Sequence, residues 1–216
     1  MIYYPFRSTG VEKNFFKFAS YNMTEDELIQ GCSKHDNNCQ RAFFERYAAN
    51  MMDLCIRYAK NSQEAKEILL NGFKNIFNEI RNYPGLNSKK DQRSGIISFE
   101  EWIKKEMILS AIHYMHNNNK REFFVSSTVS IRDAERPSSE EVTDEKIIQS
   151  ANKQMIIKAL QQLTPSYRAV YNLHELEGYS HSEISKLLDI SEYASKDSFS
   201  KAKFNLRKNL AKLIAK

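Results

Sequence analysis

The run from Leu163 to Leu210, LTPSYRAVYNLHELEGYSHSEISKLLDISEYASKDSFSKAKFNLRKNL, constrains the fold more than any other stretch, because three helix signals follow one another with almost no chain between them. Pro165 suits the first position of a helix whose Tyr167, Val170, Tyr171 and Leu173 share one face, and Gly178 is placed to end it in a left-handed cap. Ser180 with Glu183 three residues on forms a capping box, and Ile184, Leu187 and Leu188 give a second helix a short buried face. Ser191 caps a third helix. In it Phe199, Ala202, Leu206, Leu210 and Leu213 repeat at helical spacing, which leaves Tyr193, Lys196, Ser200, Lys201 and Lys203 pointing away from the core. Two short helices joined tightly, the second rich in lysine, are the arrangement that lays a recognition helix in a DNA major groove. A helical bundle with a solvated basic face produces the same periodicity.

A resemblance separates those readings. Leu163, Pro165, Tyr167, Arg168, Val170, Asn172, Leu173, Glu177, Gly178, Tyr179, Ser180, His181, Glu183, Ile184, Leu187, Leu188, Ile190 and Ser191 resemble the pattern of region 4 in bacterial extracytoplasmic-function (ECF) sigma factors of the sigma-70 family. The resemblance implies a minus-35 recognition helix that reads DNA through Ser191, Tyr193, Ser195, Lys196, Ser198, Ser200, Lys201 and Lys203. Its reading surface departs from the family pattern. Asp197 brings a negative charge near phosphates, Ala194 and Ser198 shorten side chains, and Lys201 and Lys203 stand where the family carries arginines suited to bidentate contacts. The expected result is a degenerate reader with weaker, less selective binding.

The segment from Thr24 to Ile80 holds three helical patterns. In the longest, Phe44, Tyr47, Ala48, Met51, Cys55 and Tyr58 form a core stripe; Ser62 is expected to cap the next helix, whose Ala65, Ile68, Leu69, Phe73, Ile76, Phe77 and Ile80 run on until Pro84 and Gly85 stop it. Ser98 and Glu101 form another capping box, opening a helix anchored by Phe99, Trp102 and Ile103. These segments are similar to sigma region 2. The resemblance implies a polymerase-binding face at Glu67, Ile68, Leu70, Asn71 and Lys74, where apolar Leu70 replaces the family's glutamine as either an exposed anchor or extra core. It implies contacts to a melted minus-10 strand from Lys89, Lys90, Arg93, Trp102, Lys104, Lys105, His113, His116, Lys120 and Arg121, since flipped bases need a basic groove and pockets for their faces. Glu106, Leu109, His113 and His116 depart from the pattern in that helix, and a solvated charged surface would also account for the lysines.

Residues 123–151 carry more acids than bases and little apolar periodicity, as an extended acidic linker does. The 1–22 extension is aromatic but broken by Pro5, Arg7 and Gly10, which excludes a membrane span or signal peptide there. The net charge of +5 permits nucleic-acid binding without demanding it. Cys32, Cys39 and Cys55 form no pattern of a disulfide framework or zinc site, which fits a reducing cytoplasm, and the resemblance implies a bacterial one. His113 and His116 lie one turn apart but have no third ligand beside them. No phosphate loop, carboxylate pair or nucleophilic triad is evident, so neither an enzyme nor a cofactor is expected.

The chain therefore reads as all-α, with two small helical domains, a sigma region 2 bundle (23–122) and a region 4 helix-turn-helix domain (152–216), joined by the linker. The function this implies is a transcription initiation factor that binds core RNA polymerase and directs it to promoter DNA. A weak reader suggests delivery by a DNA-bound activator or an RNA-guided targeting partner, and an anti-sigma factor is a further candidate partner. The alternatives are a sigma-like protein that occupies polymerase or an anti-sigma factor without initiating transcription, and a simple helix-turn-helix repressor.

Overall fold

Helices begin where the sequence supplies a cap. The computed structural model describes residues 23–86, 97–118 and 151–215, and every regular element among them is helical. The helices are α1 Glu25–Ser33, α2 Asn37–Tyr58, α3 Ser62–Glu79, α4 Phe99–Asn118, α5 Lys153–Gln161, α6 Pro165–Tyr171, α7 His181–Leu188 and α8 Glu192–Ile214. A 3-10 turn, Ile80–Asn82, follows α3, and a π turn, Asn172–Leu176, extends α6. The extension 1–22, the candidates Lys89, Lys90, Arg93, Lys120 and Arg121, the linker up to residue 150, and Lys216 lie outside the described residues.

Capping boxes open α1 at Thr24 and Glu27, α4 at Ser98 and Glu101, and α7 at Ser180 and Glu183. Asn152 caps α5 and Ser191 caps α8, each side chain accepting a backbone N–H three residues on. The cap expected at Ser62 sits one residue earlier: Asn61 Oδ1 accepts the N–H of Glu64, so Ser62 is already helical. Asparagine is as good an N-cap as serine, and the Glu64 carboxylate accepts the N–H of Lys60 to close the turn from the other side.

The described residues fall into two compact units, the first of residues 23–52, 69–86 and 97–107, the second of residues 53–68, 108–118 and 151–215. The first is built around Phe43, fully buried, whose ring lies 4.8 Å from Tyr47, 5.4 Å from Phe77, 5.7 Å from Phe99 and 6.0 Å from Phe73. The core side of α2 is thus centred on Phe43, while Phe44 in the expected stripe is half-buried. Trp102, read as an anchor of α4 and also assigned a contact with the minus-10 strand, is 5 % exposed and stacked on Phe99 at 5.9 Å. Arg81 Nε donates to the carbonyl of Ser33 at 2.8 Å and so closes the end of α1.

In the second unit the C-terminal helices share a core of Ala159, Leu160, Leu163, Ala202, Leu206 and Leu210, with Tyr167, Tyr171 and Leu213 packed against it. Of the residues that supplied the sequence periodicity of α6 and α8, Ala202, Leu206 and Leu210 lie in it and Tyr167, Tyr171 and Leu213 pack against it. Gly178 takes φ +78°, the left-handed conformation expected of it, and Asp189 (φ 52°) makes the corresponding turn after α7. Aspartate tolerates that conformation better than most side chains.

Candidate nucleic-acid interface

The helix-turn-helix consists of α7, the turn at Asp189 and Ile190, and α8. Two histidines lock its entry. His174, on the π turn, donates Nδ1–H to the carbonyl of Tyr179 at 2.8 Å and stacks on His181 at 4.2 Å. His181 Nδ1 is hydrogen-bonded to Ser195 Oγ at 2.9 Å, and Phe199 packs edge-on against His174 at 4.5 Å. Burial is the main reason that the His181 pKa falls below its usual value, with the neighbouring His174 and Lys196 adding to the effect.

Ser195 and Ser198 therefore do not belong to the reading surface assigned to them in the sequence. Both are buried, and Ser195 bonds inward to α7. The small Ser195 lets α7 lie close on α8. The outward side presents Tyr193, 70 % exposed, with Lys196 and Ser200, and Lys201 and Lys203 lie half-buried beside them. Ser191 remains exposed, but its hydroxyl is engaged in the cap.

Two lysines of this face are held by acids on the same helix and a third lies over a ring. Lys196 pairs with Glu192 at 2.7 Å, Lys201 pairs with Asp197 at 2.9 Å, and Lys203 Nζ lies 4.6 Å above the Phe199 ring. The hydrogen bond that Lys201 donates to Asp197 holds the Lys201 pKa above its usual value. Exposed pairs of this spacing contribute about 0.3–0.5 kcal/mol, so they compete with phosphate contacts without abolishing them. The surface can bind a backbone, with its charge partly cancelled.

On α3, Leu70 is 42 % exposed and stands with exposed Asn71 and Lys74. Glu67 lies on the same side by helical spacing, where it accepts hydrogen bonds from Tyr114 Oη and Gln63 Nε2. Ile68 is a correction: it is fully buried and cannot contact a partner from this position. On α4, Lys104, Lys105 and His113 are exposed, and His116 is half-buried. No cluster of three or more metal-binding side chains occurs among the described residues.

Sequence reasoning missed a buried polar seat in the second unit. The last turn of α2 leaves carbonyl groups that the helix cannot satisfy, and no glycine follows Tyr58 to cap them. Asn172 Nδ2 donates to the carbonyl of Arg57 at 3.0 Å, Arg168 Nη1 to that of Ala59 at 2.8 Å, and Gln161 Nε2 to that of Ile56 at 3.4 Å. Arg57 also meets Glu177 at 2.9 Å, with that carboxylate side chain only 1 % exposed. Arg168 is 2 % exposed. The available signal was two polar residues, Arg168 and Asn172, one turn apart on the side of a helix that also carries Pro165, Ala169 and Val170 in its buried set.

Residues 153–203, which span α5 to the middle of α8, match the family model for sigma-70, region 4. The comparison with curated proteins gives no match. No helix among the described residues is long and apolar enough to cross a membrane.

Proposed function

We propose that this chain is a transcription initiation factor of the ECF sigma type, which binds core RNA polymerase and directs it to promoter DNA in a bacterial cytoplasm. The observation that carries the reading is the region 4 match over 153–203, which coincides with a capped helix-turn-helix whose last helix turns Tyr193, Lys196 and Ser200 outward. A sigma-factor-like role in transcription initiation follows from that match. The finer assignments are part of the proposal. The α3 side bearing Glu67, Leu70, Asn71 and Lys74 would seat on polymerase, and α4 with Lys104, Lys105 and His113 would face the melted strand.

The charge cancellation on α8 supports a weak minus-35 reader, and hence delivery by a DNA-bound or RNA-guided partner protein with exposed Tyr193 as a contact. The second reading, a sigma-like protein that occupies polymerase or an anti-sigma factor without initiating, is favoured by the burial of Trp102, which removes a ring from base stacking. Co-elution with core RNA polymerase tests the shared premise. The full chain should bind core, and Leu70→Glu with Lys74→Glu should weaken that binding at least tenfold. Unchanged binding would remove α3 as the docking face, and absence of binding by the parent chain would end both readings.

A further inference from the structure

The first turns of α8 would enter the groove, and the polar side chains there are already engaged. Ser191 Oγ accepts the N–H of Ala194 as the cap, and Ser200 Oγ donates to the carbonyl of Lys196 at 3.2 Å. Ser195 and Ser198 are buried. Lys196 and Lys201 meet Glu192 and Asp197 at 2.7 Å and 2.9 Å, and Lys203 Nζ lies over the Phe199 ring. Residues 191–204 include no arginine, asparagine or glutamine, so the forked contacts that those side chains make to guanine and adenine edges are missing from this surface.

Tyr193 differs from all of these. It is the second residue of α8 and 70 % exposed, with half-buried Ala194 beside it. The N-terminal residues of a recognition helix are the ones that meet base edges in the major groove. A ring and a methyl group offer apolar contact there, and the apolar group that a base presents on that edge is the C5 methyl of thymine. We propose that Tyr193 is the specificity-determining residue of α8 and selects thymine through this methyl, in place of the guanine or adenine that a forked side chain selects. This role rests on the sigma-type reading above, which supplies the groove that α8 enters, and deepens it by naming the base. The lysines then serve the phosphate backbone, which positions the helix without specifying sequence. Burying one methyl group is worth about fourfold in affinity, which makes the reader weak yet still selective.

The test uses the full chain and duplex DNA. Duplexes that the chain selects from a randomised pool are remade with deoxyuridine for thymine, which removes only the C5 methyl. The parent should bind the thymine form about fourfold more tightly for each methyl that the ring covers. Tyr193→Ala should bind both forms equally and keep the salt-dependent affinity of the lysines, whereas Tyr193→Phe should keep the preference, because the ring and not the hydroxyl makes the contact. Phe204→Ala is the control. Phe204 is 49 % exposed on the same side of α8, about 16 Å beyond Tyr193 and so past a groove about 12 Å wide, and its loss should leave the preference unchanged. Both side chains are exposed, so none of these variants disturbs the core. Equal binding of the two forms by the parent, no duplex binding at all, or a preference that survives Tyr193→Ala and so leaves the ring to a partner protein would overturn the proposal. Co-elution with core polymerase, measured on the same proteins, keeps the sigma reading in place whichever way the duplex result falls, and its absence from the parent chain would remove that reading by itself.

Discussion

In the first unit, Phe43 gathers Tyr47, Phe73, Phe77 and Phe99 within 6.0 Å, so stability there comes from burying rings. In the second, the end of α2 is closed by Gln161, Arg168 and Asn172 and by the Arg57–Glu177 pair. The difference is one of exchangeability. Water cannot replace a ring contact, and truncating a buried phenylalanine costs about 3–5 kcal/mol. A hydrogen bond exchanged for one to water changes stability by only about 0.5–1.5 kcal/mol. The first unit rests on packing that water cannot replace, and the second rests in part on polar contacts that it can.

The sharpest way to break this comparison is Phe43→Ala, for which a loss of about 3–5 kcal/mol is expected in denaturant unfolding. A loss below about 1 kcal/mol would show that the aromatic cluster does not carry the unit. Arg168→Met should cost less, about 1–3 kcal/mol, since it leaves the Ala59 carbonyl without its donor, and amide exchange in the last turn of α2 should quicken. Ser180→Ala removes a local cap and should cost about 1 kcal/mol on the same curves, with exchange quickening in α7 alone.

The pH dependence is smaller and has a fixed sign. Burial, with His174 and Lys196 nearby, lowers the His181 pKa in the folded chain, so the unfolded chain takes up the proton first and stability declines as pH falls below 6.5. The carboxyls of Glu27, Glu101 and Glu183 are lowered by hydrogen bonds from Thr24, Ser98 and Ser180, so a further decline is expected as pH falls below 4.5. Unfolding followed from pH 7 to 4 checks both, and His181→Asn should flatten the upper part of the curve. Tyr193→Ala should leave stability within about 0.5 kcal/mol, so any loss of DNA or partner binding would report on the surface itself.

The locally determined parts of the fold were legible. Pro165, Gly178, the Ser180–Glu183 and Ser98–Glu101 boxes and the Ser191 cap act within four residues of themselves, and each occupies the place its spacing implies. Packing between elements was less so. Periodicity did not show that α7 would bury Ser195 or that Phe99 would cover Trp102, whereas it did place Ile68 in the apolar run of α3, against the polymerase contact that the resemblance implied. The polar seat was least legible, because the carbonyls it serves belong to a helix more than a hundred residues earlier in the chain.

The central claim is that this chain gives polymerase its starting points, and the most direct measurement is transcription in vitro. Core polymerase and the full chain would be incubated with fragments of the source genome, and RNA 5′ ends would be mapped. The account predicts discrete starts that depend on the chain and share upstream elements, sharpened by a targeting partner where one is supplied. Binding to core with no discrete start, with or without such a partner, would contradict it and leave a protein that occupies polymerase without directing it.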